Sequence, residues 1–400
     1  MTDYLTRLPR DLYTAAEVRL LDKIAIEQFG IPSFTLMQTA ASIAFNKLMQ
    51  KWPQARHVQV FAGSGNNAGD GYLLASLAKE QGLSTEVITL CDPEKLRGDA
   101  RLAAEWADKQ QVLITPFSDF DVEHEKDHAH PVVVDALLGI GLNREVTGDY
   151  AKAIEFINNA DRPVLAIDIP SGLSADTGAC LGVAVIADVT VTFIGLKQGL
   201  LTNQAGDYVG ELIYHPLDVP DRVFTGESSP KPAAQRIDIN STRAMLAPRA
   251  IASHKGNHGH VLVIGGDSSF GGAVIMAAEA ALRSGAGLVS VITRSAHRPA
   301  LLARRPEVMV LGTEDDNTHI DDLISRATTI VIGPGLGRGS WARCLMQKAL
   351  STQISMDKPL VIDADALHLL AESREQGAAG KGAKIKRDNW ILTPHPGEAA

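Results

Sequence analysis

Cysteine is scarce in this chain of 400 residues: Cys91, Cys180 and Cys344 are the whole complement, odd in number and far apart. That spacing supports neither a disulfide framework nor a cysteine-based zinc site, and it fits a reducing cytosol. An excess of basic charge is also missing. With a formal net charge of −9, the chain lacks the clustered Lys and Arg that a nucleic-acid partner requires. A small anion is still allowed, because backbone N–H groups at a helix N-terminus bind one without basic side chains. No apolar run approaches the length that spans a bilayer, and the polar start MTDYLTRLPRD has no apolar signal core. A soluble, cytoplasmic protein with no nucleic-acid or membrane partner is expected. The rest is ordinary globular material, 45% hydrophobic and 21% charged, in a chain long enough for two cores.

Thr14-Ala-Ala-Glu17 reads as a capping box opening an amphipathic helix to about Phe29. Gly30-Ile-Pro32 breaks it, and a more apolar helix runs from Ser33 to Met49. Short β-branched runs then recur at Val58–Phe61, Val87–Leu90, Val132–Val134, Val164–Ile167 and Val189–Phe193, with helical stretches such as Tyr72–Glu80 and Tyr150–Asn158 between several of them. This alternation predicts a mostly parallel, Rossmann-like doubly wound α/β sheet. Residues 216–240 are polar and rich in Pro and Ser, and read as a linker. A second alternation follows, with strands near Val261–Ile264, Leu288–Ile292, Ile330–Ile332, Leu360–Ile362 and Trp390–Leu392.

Between the first of these strands and its helix stands Gly63-Ser-Gly-Asn-Asn-Ala-Gly-Asp-Gly71. Glycines there allow positive φ and close approach to a ligand, and the helix aims free N–H groups at it. Read loosely, Gly63, Gly65 and Ala68 fit a dinucleotide fingerprint, as would a tight turn with no ligand. Asn66 and Asn67 add amides that both donate and accept, while Asp70 is either a site anion or a helix N-cap. Asp135 and Gly139-Ile-Gly141 follow a later strand, and Asp168, Pro170 and Ser171 follow the next. Ligands of open parallel sheets bind beyond the carboxyl ends of strands, so these groups are expected to converge. Lys197 follows the strand after that, either as a partner of Asp168 or as a solvated surface lysine. His124 and His128 are four apart in DFDVEHEKDHAH, but the segment has no apolar face and reads as a hydrated loop.

Asn66-Asn-Ala-Gly-Asp-Gly71, Asp135-Ala-Leu-Leu-Gly-Ile-Gly141 and Asp168-Ile-Pro-Ser-Gly172 together resemble the NAD(P)H-hydrate epimerase family, over roughly residues 10–215. The resemblance implies that Asn66, Asn67, Ala68, Gly69 and Asp70 hold the hydrated NADH or NADPH. Gly139, Ile140, Gly141, Leu142, Asn143, Arg144 and Glu145 are implied to do so with them, as is Asp168. It implies a potassium ion (K+) on Asn67, Asp135 and Ser171, a hard oxygen set that suits such an ion and not zinc. Ala68 stands where the family commonly has Gly, which requires a negative φ there. Asp168 is the candidate general acid–base group.

In the second half, His254-Lys-Gly-Asn-His-Gly259, Gly285-Ala-Gly-Leu-Val289, Gly333-Pro-Gly-Leu-Gly337, Asp363-Ala-Asp-Ala-Leu367 and Thr393-Pro-His-Pro-Gly-Glu398 follow one another. This set is similar to the NAD(P)H-hydrate dehydratase family, over about 241–400, and implies a ribokinase-like α/β fold. Implied substrate contacts fall near Ala273, Gly335, Gly337 and His395, with ADP as phosphoryl donor and Mg2+ allowed beside it. The family's later lysine–glycine loop and its catalytic aspartate are expected beyond the TPHPGE run. The second domain is therefore expected to be incomplete at its C-terminus, and inactive as a dehydratase. Two alternatives stay open: an NAD-dependent dehydrogenase resting on GSGNNA and Asp92, and a non-catalytic binding module on an epimerase-like scaffold. Nothing in the pattern decides between a monomer and a homo-oligomer.

Overall fold

Strands that are apolar at nearly every position must be covered on both faces, and this decides the architecture of each half. The computed structural model describes residues 8–120, 130–246, 248–313, 319–375 and 387–399. Two units emerge, Met1–Leu246 and Ala247–Ala400.

Among the described residues the first unit has nine strands: β1 (Asp11–Leu12), β2 (His57–Ala62), β3 (Ser84–Thr89), β4 (Leu113–Pro116), β5 (Pro131–Ala136), β6 (Val164–Ile167), β7 (Val189–Phe193), β8 (Glu211–His215) and β9 (Ala234–Gln235). Seven form one sheet in the order β4-β3-β2-β5-β6-β7-β8, with every pair parallel. Five helices pack on it: α1 (Ala15–Glu27), α2 (Ser33–Lys51), α3 (Asn66–Glu80), α4 (Gly98–Lys109) and α5 (Gly148–Asn159). Val58, Val60 and Val134 join α1 to α4 in one core, while Phe61, Ile88 and Val133 join α5 on the other face. The Thr14 capping box forms as read, with the Thr14 N–H donating to Glu17 and the Glu17 N–H donating to the Thr14 hydroxyl.

Several expectations need revision. The helix read from Tyr72 starts six residues earlier, at Asn66, so only Gly63–Gly65 is a turn. Asn and Gly are poor helix formers, and burial of Ala68, Gly69 and Gly71 in tertiary contacts overrides their propensity. β4 and β8 were not expected as strands; they are the two sheet edges, partly exposed and bounded by polar or proline residues, so their apolar signal is weak. The segment read as a linker is tied to the first unit. Val223 is buried in its core, and β9 pairs antiparallel with β1. His124 and His128 lie outside the described residues.

The second unit is a parallel sheet of β10 (His260–Ile264), β11 (Leu288–Thr293), β12 (Met309–Gly312), β13 (Thr329–Ile332), β14 (Leu360–Ile362) and β15 (Trp390–Leu392). The order is β12-β11-β10-β13-β14-β15. Of these, β12 is an edge strand that periodicity did not single out. Among the described residues, no helix is long and apolar enough to cross a membrane.

Candidate functional site

In the first unit β2 pairs with β3 on one side and β5 on the other, so the chain reverses its direction of travel across the sheet there. Such a switch opens a crevice beyond the carboxyl ends of the two strands. A cavity of about 650 Å³ occupies it, with Asn66, Asn67, Asp70, Gly139–Arg144, Asp168 and Lys197 in its wall. The residues expected to converge after β2, β5 and β6 do so, and Lys197, after β7, joins them.

The turn after β2 works by closeness, not by unusual dihedrals. None of Gly63, Gly65, Gly69 or Gly71 has a positive φ, contrary to the expectation for a fingerprint turn. A Cβ at Gly63 would collide with the Leu137 carbonyl oxygen, and one at Gly71 would stand 2.6 Å from the Ala136 Cβ. These glycines bring β2 and α3 against the loop after β5. Ala68 is helical and fully buried, and so satisfies the requirement for negative φ. Gly65 is the N-cap and no side chain caps the helix, which leaves N–H groups of its first turn facing the cavity. Asp70 is the fifth residue of α3, not its cap.

Asp168 occupies the centre of a γ-turn: its φ is +68° and the Ile169 N–H donates to the Ile167 carbonyl at 2.8 Å. Strain of this kind is retained where surrounding structure over-determines it, often at functional sites. Its Oδ1 accepts from Lys197 Nζ, from Thr192 Oγ1 at 3.3 Å and from the Phe193 N–H at 3.2 Å. Oδ2 has no partner among the described residues.

Lys197 is not a surface lysine. Its side chain is 1% exposed, and Nζ also donates to Thr192 Oγ1 and the Phe193 carbonyl, each at 3.0 Å. The chain turns it inward through Ile194, a β-branched residue at φ +57°, and the Tyr13 N–H then donates to the Leu196 carbonyl.

Behind the cavity, Asp135 is fully buried at the end of β5. Its Oδ1 accepts from Ser171 Oγ at 2.6 Å and from the Leu137 N–H at 3.2 Å, and Oδ2 accepts from the Ser171 N–H at 2.7 Å. Burial pushes its carboxyl up to about 6, against the pull of those bonds. Asn67 joins this group through Leu138: its Nδ2 donates to the Leu138 carbonyl at 3.1 Å, and the Leu138 N–H donates to Ser171 Oγ at 2.8 Å. Asn67 Oδ1 is buried with no hydrogen-bond partner among the described residues. An orphaned carbonyl costs roughly 1–3 kcal/mol, and a hard cation among these oxygens would satisfy it.

Asp22 is among the cavity residues that sequence reading missed. It lies on α1 beside Val18, Leu21 and Ala25, which are buried, so a carboxylate on the apolar stripe of that helix was the available signal. Burial first, then the charge of Asp168, push its carboxyl up to about 6, and Lys197 opposes them. Asp70 is driven well above the usual carboxylate range by burial, with Asp168 and Asp22 adding to it.

In the second unit, the turn after β10 is laced to the turn after β13. The Asp267 N–H donates to the Gly335 carbonyl at 2.7 Å, and Gly335 packs on Phe270, just ahead of the helix that holds Ala273. Gly337 donates its N–H to Asp365 Oδ2 at 2.8 Å. Ala273, Gly335 and Gly337 thus share one end of the sheet. His395 follows β15; its ring lies 3.3 Å from Glu398 Oε1 and accepts from the Gly397 N–H at 3.0 Å.

Residues 33–199 match the family described as YjeF-related protein N-terminus, and residues 261–400 match the family described as NAD(P)H-hydrate dehydratase. A Coxiella burnetii protein named bifunctional NAD(P)H-hydrate repair enzyme Nnr is 43% identical across 97% of this chain and 75% of its own length. The chain belongs to the bifunctional NAD(P)H-hydrate repair enzyme family. It is also similar to the protein of the same name in Escherichia coli, at 38% identity across 100% of this chain and 74% of the relative. Among solved structures, an ADP/ATP-dependent NAD(P)H-hydrate dehydratase from Bacillus subtilis, co-crystallized with ATP/Mg2+, is 29% identical over 40% of this chain and 52% of that one, with a TM-score of 0.30. Both halves of this repair family are therefore represented, each on its own parallel sheet.

Proposed function

We propose that the cavity of the first unit binds hydrated NADH or NADPH and interconverts its R and S forms, with Asp168 as the general base. The observation that carries this reading is the Asp168–Lys197 pair in the wall of a cavity that also contains Asn66–Asp70 and Gly139–Arg144. Lys197 holds Asp168 through Oδ1, and Oδ2, which has no partner among the described residues, is open to take a proton. The hydrate bears its hydroxyl on C6, next to the ring nitrogen. Loss of the hydroxyl proton to Asp168 lets the C6–N1 bond break, with its electron pair moving to nitrogen. The open aldehyde rotates, and reclosure with return of the proton gives either epimer.

Uncapped N–H groups of α3 and the loop at Gly139–Arg144 support placement of the dinucleotide phosphates. Glu145, next in the chain, is taken as the far end of that loop. A potassium ion would be held by Asn67, Asp135 and Ser171, and would supply local positive charge. The orphaned Asn67 Oδ1 supports that assignment.

In the second unit the S hydrate is assigned to Ala273, Gly335, Gly337 and His395. In a complete second domain ADP, with Mg2+, would serve as phosphoryl donor to the C6 hydroxyl, whose departure as phosphate would regenerate NAD(P)H.

The test supplies purified chain with mixed R and S hydrates, with and without ADP, and follows both epimers by chromatography. Interconversion well above the spontaneous rate is expected, and Asp168→Asn is expected to abolish it while binding persists. Retained epimerisation in Asp168→Asn overturns the assignment.

A further inference from the structure

Of the four aspartates in the cavity wall, Asp22, Asp70 and Asp168 share it with Lys197, the one lysine of that wall. An ammonium has three N–H donors, and those of Lys197 go to Asp168, Thr192 and the Phe193 carbonyl. None is left for the other two acids. Among the described residues neither Asp22 nor Asp70 receives a hydrogen bond or pairs with a cation, although both are at least partly withdrawn from water. A desolvated carboxylate with no donor keeps its proton unless it is paired. Lys197 is also tied to the segment that leads into α1, the helix of Asp22: Tyr13 bridges it by backbone bonds.

We propose that Asp22 is a positioning residue of the epimerase centre, which acts through Asp70 by holding a proton on it for delivery to the substrate. This rests on the reading of the cavity given above and deepens it. Ring opening needs an acid as well as a base. As the C6–N1 bond breaks and the hydroxyl proton passes to Asp168, the Asp70 carboxyl donates its proton to the ring nitrogen. On reclosure both protons return, so atoms and charge balance. Above about pH 6 Asp22 is ionised, and its charge raises the affinity of Asp70 for that proton.

The charged groups around Asp22 are Asp70 from α3, Asp168 after β6, Lys197 after β7 and Arg19 from its own helix. Asp99 and Arg144 complete the ionisable lining, and the α2 residues of the wall are uncharged.

The experiment compares wild type, Asp22→Asn and Asp22→Glu in the full chain, measuring epimerisation from pH 5 to pH 9. Asp22→Asn is expected to move the alkaline limb down by about one pH unit, so that activity falls roughly tenfold at pH 8 and much less at pH 6. KM should change less than twofold, and Asp22→Glu should restore the profile. An unmoved limb in folded Asp22→Asn overturns the proposal. Carbon-13 titration of the wild-type carboxyls needs no variant: Asp70 should titrate above Asp22, and an ordinary value near 4 overturns it equally. If wild type fails to epimerise, or Asp168→Asn still does, the reading of the cavity itself falls. A moved limb beside an inert Asp168→Asn supports both.

Discussion

The Asp168 carboxylate is bound to the Lys197 ammonium, which is 1% exposed and lies at the end of the neighbouring strand. One group is strained at positive φ and the other is buried. Each is held where it is by the other, and Thr192 bridges them.

Replacing Lys197 by Met should therefore cost about 3–5 kcal/mol, because it leaves a desolvated carboxylate beside two others without their cation. Thermal unfolding measures this. The double variant Asp168→Asn/Lys197→Met should be more stable than the sum of the two single losses implies. Strict additivity would show that the pair is not a unit.

Gly71→Ala places a methyl group 2.6 Å from the Ala136 Cβ and 3.0 Å from Val60 Cγ1, between α3 and the sheet. Overpacking there should cost about 1–3 kcal/mol of stability. Gly65→Ala meets nothing within 4 Å and has φ of −105°. Its melting temperature should stay within a degree of wild type, while substrate binding weakens at the cavity mouth. Equal melting losses in both variants would refute the packing account.

Potassium should stabilise the first unit when compared with a large organic cation at equal ionic strength. At one hundred times its dissociation constant, a ligand that binds only the folded state adds about 2.7 kcal/mol. Asn67→Ala removes the orphaned oxygen and should abolish most of that shift in a melting experiment without substrate. A potassium shift that survives in Asn67→Ala places the ion elsewhere.

The Asp22 carboxyl has a folded-state value of about 6 against an ordinary value near 3.8, raised by burial. The folded state thus binds more protons than the unfolded state between those values. Its contribution is whole below about pH 4 and is lost as pH rises through 6. Asp22→Asn should accordingly be more stable than wild type at pH 8, by on the order of 3 kcal/mol, and nearly equal at pH 4. A purely structural aspartate would show destabilisation at both.

Local information determined much of this protein. The β-branched runs, the Thr14 capping box and the polar groups at strand ends can be read along the chain, because alternation and capping depend on near neighbours. Asn67, Asp135, Asp168 and Ser171 were legible for the same reason: each lies at or just beyond a strand's carboxyl end, and parallel strands deliver those ends to one side. Edge strands β4 and β8 were not legible, since half-exposed strands lack a strong apolar signature. The early start of α3 was hidden by residues of poor helix propensity. Most of all, periodicity alone could not show that Lys197 is buried, that Asp22 joins it from the first helix, or that Asn67 Oδ1 lacks a partner. Desolvation and charge proximity arise between residues up to 175 positions apart in this cluster. Only the packed arrangement of α1, α3 and the ends of β6 and β7 sets which carboxylate is paired with the lysine and which is not.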